Sequence, residues 1–302
     1  MSDSIKRLLV RFGCLTLLLL GVVSTAEAAG RVECRAASSQ ILKRAVRYCV
    51  FLPPSYDVEK TRRFPVLYFL HGLGDNEQSL INLGGWSLVE YLREKGRIGE
   101  FVIVAPDGGR TFYVNSSDGR VRYEDFFIRE FIPLVDRSYR TRPGRAFRGI
   151  TGVSMGGYGA LRYAFAYPQL FGSVSSHMGA LMEKIPRVEI VGGGRANIRT
   201  LGLLGNVFGS PPNPAYFDRL NPLTLARTAG LSGLRIYLDC GAEDHYGFYN
   251  GARRLHEILE ARRIEHEYHL DPGGHDGAFV TAHFPLSLEL HSRTFGLSPA
   301  KR

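Results

Sequence analysis

Short apolar, β-rich runs alternate with longer stretches of helical periodicity along most of this chain. The runs fall at 46–52, 65–70, 101–105, 147–151, 173–176, 235–240 and 267–270. Several are apolar at consecutive positions, the pattern of a strand covered on both faces. The stretches at 88–95, 123–135, 156–166, 250–262 and 278–293 predict helices. Strands alternating with helices predict a mostly parallel central sheet flanked by helices, hence an α/β fold. A hairpin turning near 40–43 predicts an antiparallel edge. One α/β domain over 29–302 accommodates these elements. The stretch 180–230 breaks the rhythm with Gly192-Gly193-Gly194, Pro211-Pro212, Pro214 and Pro222. A segment that long between two strands predicts an inserted flap, which could shape a pocket or only decorate the surface.

Residues 1–28 carry the pattern of a signal peptide. Lys6, Arg7 and Arg11 precede an apolar run from Phe12 to Val23, and Ala26-Glu27-Ala28 provides a small-x-small cleavage pattern. The run is shorter than the roughly 20 apolar residues that span a bilayer, although a retained anchor is the competing reading. Cleavage predicts an exported protein, periplasmic or extracellular, with no stable membrane span. Three cysteines would remain, and Cys34 and Cys49 flank the hairpin so that they could face each other. Cys240 lies in an apolar run and reads as a buried free thiol. No spacing suggests a metal site, and the chemistry below needs no cofactor.

The chain has 38 Lys plus Arg against 29 Asp plus Glu, a formal charge of +9. The basic residues are scattered as doublets such as Arg62-Arg63 and Arg253-Arg254, with no dense tract. Nucleic acid is therefore not an expected partner.

The chemistry is concentrated in three places. Gly152-Val153-Ser154-Met155-Gly156 is a GxSxG pattern between a strand-like run and a helix-like stretch. Such a strand-turn-helix elbow lifts a serine hydroxyl above the sheet. Serine needs a base and an orienting acid, which in this kind of sheet follow in the order acid, then histidine. The run at 235–240 leads into Ala242-Glu243-Asp244, which makes Asp244 the candidate acid and Glu243 its alternative. The run at 267–270 leads into Pro272-Gly273-Gly274-His275, where glycines let the imidazole reach back to Ser154. His245, His256, His266 and His269 compete, but they sit on a helix, in a strand or too soon after the acid. Oxyanion donors are expected at the N–H of Met155 and of Leu73 in His71-Gly72-Leu73-Gly74, with Gly72 as the alternative. His71 reads as a brace for that loop. Tyr113, Asn115 and His177 lie beyond strand ends on the same edge and are candidate substrate-binding residues, with loop packing as the competing explanation.

These motifs resemble the esterase D and mycolyltransferase branch of the α/β-hydrolases, which includes S-formylglutathione hydrolases and exported feruloyl and acetyl-xylan esterases. The carriers are Tyr68-Phe69-Leu70-His71-Gly72, the Ser154-Met155-Gly156-Gly157 version of the elbow, Asp239-Cys240-Gly241 before Asp244, and Pro272-Gly273-Gly274-His275-Asp276. The resemblance implies an α/β-hydrolase fold, a Ser154–Asp244–His275 triad with Leu73 and Met155 at the oxyanion, and hydrolysis of a small-molecule or carbohydrate-linked ester through an acyl-enzyme. Transfer of the acyl group to an alcohol is the second reading. A secreted binding protein on a hydrolase scaffold, or a basic surface-binding protein, is the reading of another class. The binding-scaffold reading predicts a broken triad, and none of the three roles is vacant here.

Overall fold

The computed structural model describes residues 29–185 and 204–297. The expected signal segment at 1–28 and the glycine-rich centre of the 180–230 stretch lie outside them. Eight strands form one sheet: β1 Arg31–Ser39, β2 Arg44–Leu52, β3 Val66–Leu70, β4 Val102–Pro106, β5 Arg148–Val153, β6 Ser173–His177, β7 Arg235–Gly241 and β8 Glu267–Asp271. Their order is β1-β2-β4-β3-β5-β6-β7-β8. β1 and β2 are the expected hairpin, β2 is antiparallel to β4, and all pairs from β4 onward are parallel. This is the α/β-hydrolase arrangement.

β3 shows why the central runs are apolar throughout. Val66, Tyr68 and Leu70 join one hydrophobic core, while Leu67 and Phe69 join the core on the opposite face. A period of two therefore buries every residue when both faces are covered. The helices used below are α1 Gly85–Glu94, α2 Ile132–Ser138, α3 Met155–Ala166, α4 Pro214–Leu220, α5 Phe248–Ala261 and α6 Gly277–Thr294. α2, α3 and α4 supply the first core, with Val135, Leu161 and Phe217, and α1 and α6 supply the second, with Leu92, Phe284 and Leu288.

The helix expected at 123–135 is not one regular helix. It begins as an α-turn at Tyr123–Phe126, widens to a π-turn at Phe127–Phe131 and resumes as α2. Pro133 near the start of α2 cannot donate the i−4 bond, a local reason for the change of hydrogen-bonding register.

Cys34 and Cys49 stand opposite each other in the β1–β2 register, 4.0 Å apart at Cα, and are joined by a disulfide across 15 residues. Closing a loop of that length stabilises a fold by about 3 kcal/mol through the unfolded chain. Among the described residues, no helix is long and apolar enough to cross a membrane.

β6 is polar yet fully buried. Ser173, Ser175 and His177 alternate with Val174 and Ser176, and the odd-numbered set faces α6. Ser175 donates to Thr151 at 2.6 Å, so the His291 Nε2–H donates to Ser175 at 2.9 Å. His291 Nδ1 then accepts from the Ser173 hydroxyl at 2.7 Å. His177 contacts Asp239 through Nδ1 at 2.6 Å and Ser287 through Nε2 at 2.9 Å. These buried polar groups satisfy one another, as a low-dielectric interior requires.

Candidate active site

Ser154 is the single residue between β5 and α3, with φ 55° and ψ −114°. That conformation is costly for a residue with a side chain, and the surroundings hold it. The Ser154 N–H donates to the His177 carbonyl at 2.8 Å, and the Ser154 carbonyl accepts from Tyr158 at 3.1 Å and Ala180 at 2.9 Å. The glycines of the elbow answer to space. A Cβ on Gly156 would fall 1.9 Å from the Leu70 carbonyl oxygen, so only glycine lets α3 approach β3.

The Ser154 hydroxyl lies 2.9 Å from His275 Nε2, and His275 Nδ1 lies 2.8 Å from Asp244 Oδ2. A carboxylate can only accept, so Nδ1 carries the proton and the Nε2 lone pair faces the hydroxyl. Asp244 leaves the C-terminal end of β7 and is 3% exposed. Its Oδ1 accepts the Tyr246 N–H at 2.7 Å, and its Oδ2 also receives the Cys240 thiol at 3.5 Å. Burial alone would raise the Asp244 pKa. The hydrogen bond and charge of His275, with the Tyr246 N–H, outweigh burial and hold it below the ordinary carboxylate value. Burial, reinforced by Asp244, pushes the Cys240 thiol well up, so it stays a protonated donor and not a nucleophile.

Glu243, the alternative acid, points elsewhere. Its carboxylate accepts the Gly273 N–H, and its own N–H donates to the Gly273 carbonyl at 3.0 Å. It fastens the acid loop to the histidine loop without touching the imidazole. Asp276 caps α6 by accepting the Phe279 N–H at 2.9 Å, which fixes the far side of His275.

Met155 is the first residue of α3, so its N–H has no acceptor within the helix. Leu73 lies in the turn closed by Asp75 N–H on the Gly72 carbonyl at 3.3 Å. That turn is beside Ser154, since a Cβ built on Gly72 would sit 3.7 Å from Ser154 Cβ. His71 braces it. Its Nε2 accepts the Gly108 N–H at 2.8 Å, so Nδ1 is the donor to the Gly72 carbonyl at 2.7 Å.

The three candidate substrate-binding residues do not line the cavity at Ser154. Tyr113 is fully buried beneath the loop that starts at His71. Its hydroxyl donates to the His71 carbonyl at 3.0 Å, and its own carbonyl accepts from Tyr163. Asn115 is spent locally, its Oδ1 accepting the Asp125 N–H at 3.2 Å and its carbonyl the Tyr216 hydroxyl at 2.8 Å. His177 is buried on the α6 side of β6, with both ring nitrogens engaged. Alternation along β6 carried that signal, because His177 shares parity with Ser173 and Ser175.

The cavity of about 470 Å³ is mostly apolar, with Leu83, Phe112, Met178, Leu204, Phe248 and Val280 among its walls. Ala180, Met182 and Leu204 come from the 180–230 stretch, so the described part of that insertion shapes the pocket. Sequence reading missed these residues because they are ordinary hydrophobic side chains drawn from distant segments. A larger cavity of about 740 Å³ lies at the opposite sheet edge. Its arginines are committed to partners, Arg293 to Glu267 at 3.1 Å, Arg235 to Glu265 and Arg145 to the Ser232 carbonyl at 2.8 Å, and no serine or cysteine lines it. Among the described residues, no group of three or more His, Cys, Asp or Glu side chains is placed to hold a metal ion.

Fold and site together define an α/β-hydrolase with a serine, a histidine and a carboxylate in mutual contact. The chain belongs to the family described as "Putative esterase", whose pattern matches residues 39–286. It is 31% identical over 242 residues to Esterase Rv1288 of Mycobacterium tuberculosis, covering 75% of this chain and 51% of that protein. The chain thus spans about half the length of that mycobacterial relative. It is 26% identical over 268 residues to an acetyl esterase of Caldicellulosiruptor saccharolyticus, covering 84% of this chain and 96% of that one. Among solved structures, a ferulic acid esterase superposes with TM-score 0.75 at 22% identity, covering 89% of this chain and 99% of that chain. An S-formylglutathione hydrolase from Agrobacterium tumefaciens gives TM-score 0.65 at 20% identity, over 89% of this chain and 97% of that chain. The two structural likenesses are likenesses of fold.

Proposed function

We propose that this protein is an exported serine esterase that hydrolyses carboxylic esters through an acyl-enzyme. The observation that carries the reading is the continuous contact from Ser154 through His275 to Asp244, at 2.9 and 2.8 Å. His275 takes the Ser154 proton as Oγ attacks the ester carbonyl. The N–H groups of Met155 and Leu73 receive the developing oxyanion, and Asp244 steadies the imidazolium. The imidazolium gives its proton to the departing alcohol. Water, activated by the same imidazole, then releases the acid and restores Ser154. No step calls for a metal or an organic cofactor. The apolar cavity supports an acyl or alcohol group with substantial hydrocarbon surface. Export is supported by the signal pattern at 1–28 and by the Cys34–Cys49 disulfide, which persists in oxidising compartments.

The test is a panel of short acyl, long acyl and aryl esters given to the mature protein beside Ser154→Ala and His275→Ala. Each variant is expected to lose on the order of 10⁴-fold or more in turnover. A fluorophosphonate is expected to label Ser154 alone. Retention of most activity by Ser154→Ala would show that another group is the nucleophile.

A further inference from the structure

The cavity at Ser154 has a sign opposite to that of the chain around it. The full chain carries a formal charge of +9. Among the described residues lining the cavity, however, the acidic side chains are Asp75 and Asp276, and there is no Lys or Arg. A further carboxylate, Asp244, lies directly behind the imidazole at 2.8 Å.

Both acids at the mouth are close to the proposed reacting groups. A Cβ placed on Gly72 would sit 3.6 Å from Asp75 Oδ2 and 3.7 Å from Ser154 Cβ, so the carboxylate and the serine flank one small space. Asp276 follows His275 in the chain. One of its oxygens accepts the Phe279 N–H at 2.9 Å, and the start of α6 offsets part of its charge. Asp75 sits in a turn, where its N–H meets the Gly72 carbonyl at 3.3 Å. Both side chains are exposed, and among the described residues neither forms a salt bridge.

On the esterase reading above, we infer that the mouth of this cavity is a charge filter, which favours esters bearing a cation and rejects those bearing an anion. A fixed negative charge beside the reacting carbonyl penalises an anionic substrate, and low-dielectric walls focus that field. Tyr246 and Phe248 present aromatic rings at the same cavity, and a cation gains from such faces. Thioesters of glutathione, which carry an excess of carboxylates, fall in the rejected class. The acid released from the acyl-enzyme is itself an anion, so the same field favours its departure.

The experiment compares kcat/KM at low ionic strength for three butyryl esters. Butyrylcholine is cationic, 3,3-dimethylbutyl butyrate is its neutral isostere, and 2-sulfoethyl butyrate is anionic. All three form the same butyryl-enzyme, and intrinsic differences between the leaving groups cancel when variants are compared. The double variant Asp75→Asn, Asp276→Asn is expected to lower the choline-to-neutral ratio about tenfold and to raise the sulfoethyl-to-neutral ratio by a similar factor. Asparagine can still cap α6, so the substitution removes charge without removing the cap. Unchanged ratios overturn the filter, and so does an equal fall in all three rates, the mark of a structural role.

A second measurement uses the unaltered protein. Raising the salt from about 0.01 M to about 1 M shortens the screening length from about 30 Å to about 3 Å. The choline-to-neutral ratio is expected to fall and the sulfoethyl-to-neutral ratio to rise. Ratios that stay constant overturn the filter. Ratios that move in the opposite sense also overturn it, because the overall positive charge would then govern entry. If Ser154→Ala hydrolyses all three esters at the original rates, the esterase reading itself fails, whatever the ratios.

Discussion

The N–H of Ser154 donates to the carbonyl of His177 at 2.8 Å, and the His177 imidazole is held by Asp239 at 2.6 Å. Ser154 is thereby tied through β6 to a buried carboxyl group on β7. His177→Ala removes the ring partner of the buried Asp239 Oδ2, which is expected to destabilise the protein by about 1–3 kcal/mol. Urea unfolding followed by circular dichroism measures the change. A loss below about 1 kcal/mol would mean that the pair carries little of the elbow's rigidity.

Two neighbouring carboxylates are assigned different tasks, and mutation separates them. Asp244→Asn is expected to lower kcat by about 10⁴-fold, because an amide can orient the imidazole in the wrong tautomer. Glu243→Ala removes only a clamp on the Gly273 N–H and is expected to cost about tenfold or less. Steady-state kinetics on one ester decides between them. A reversal of the two effects would transfer the acid role to Glu243.

Tyr113 supports the loop that carries Leu73, the proposed oxyanion donor, through the His71 carbonyl and does not line the cavity. Tyr113→Phe is therefore expected to lower kcat several-fold while KM holds, the signature of a contact that serves the transition state. A raised KM at unchanged kcat would return Tyr113 to the substrate-binding group.

His291 gives stability a dependence on pH. Its burial, and secondarily the neighbouring His177, push its pKa down to about 3. The unfolded chain binds a proton at His291 below the usual value near 6.5, whereas the folded chain stays neutral there until about 3. The unfolded state thus holds more protons in that window, and stability falls as pH drops through it, by up to about 1.4 kcal/mol per pH unit from this one group. Denaturant midpoints at pH 7 and pH 4.5 are expected to differ more for the unaltered protein than for His291→Gln, which keeps a hydrogen-bonding side chain but does not titrate. An equal midpoint difference for the two proteins would remove His291 from the acid response.

The sequence by itself determined the frame. Strands buried on both faces must be apolar at consecutive positions, and the connecting helices must show their own period, so the order of elements is written locally. The elbow is equally local, because a strained serine between a strand and a tightly packed helix demands glycines at fixed offsets. The meeting of His275 and Asp244 with Ser154 was legible from their places after successive strands, but tertiary structure alone decided which other side chains surround them. Tyr113, Asn115 and His177 leave the correct edge of the sheet, but their direction depends on strand parity and loop packing, and both turn them away from the cavity. Glu243 and Asp244 are adjacent carboxylates whose roles separate only when the Gly273 backbone arrives from another loop. The pocket walls, Leu83 and Val280 among them, are unremarkable hydrophobic residues until distant segments bring them to one place. Chemistry that needs special backbone geometry leaves a mark in sequence, whereas shape made by ordinary side chains across long separations does not.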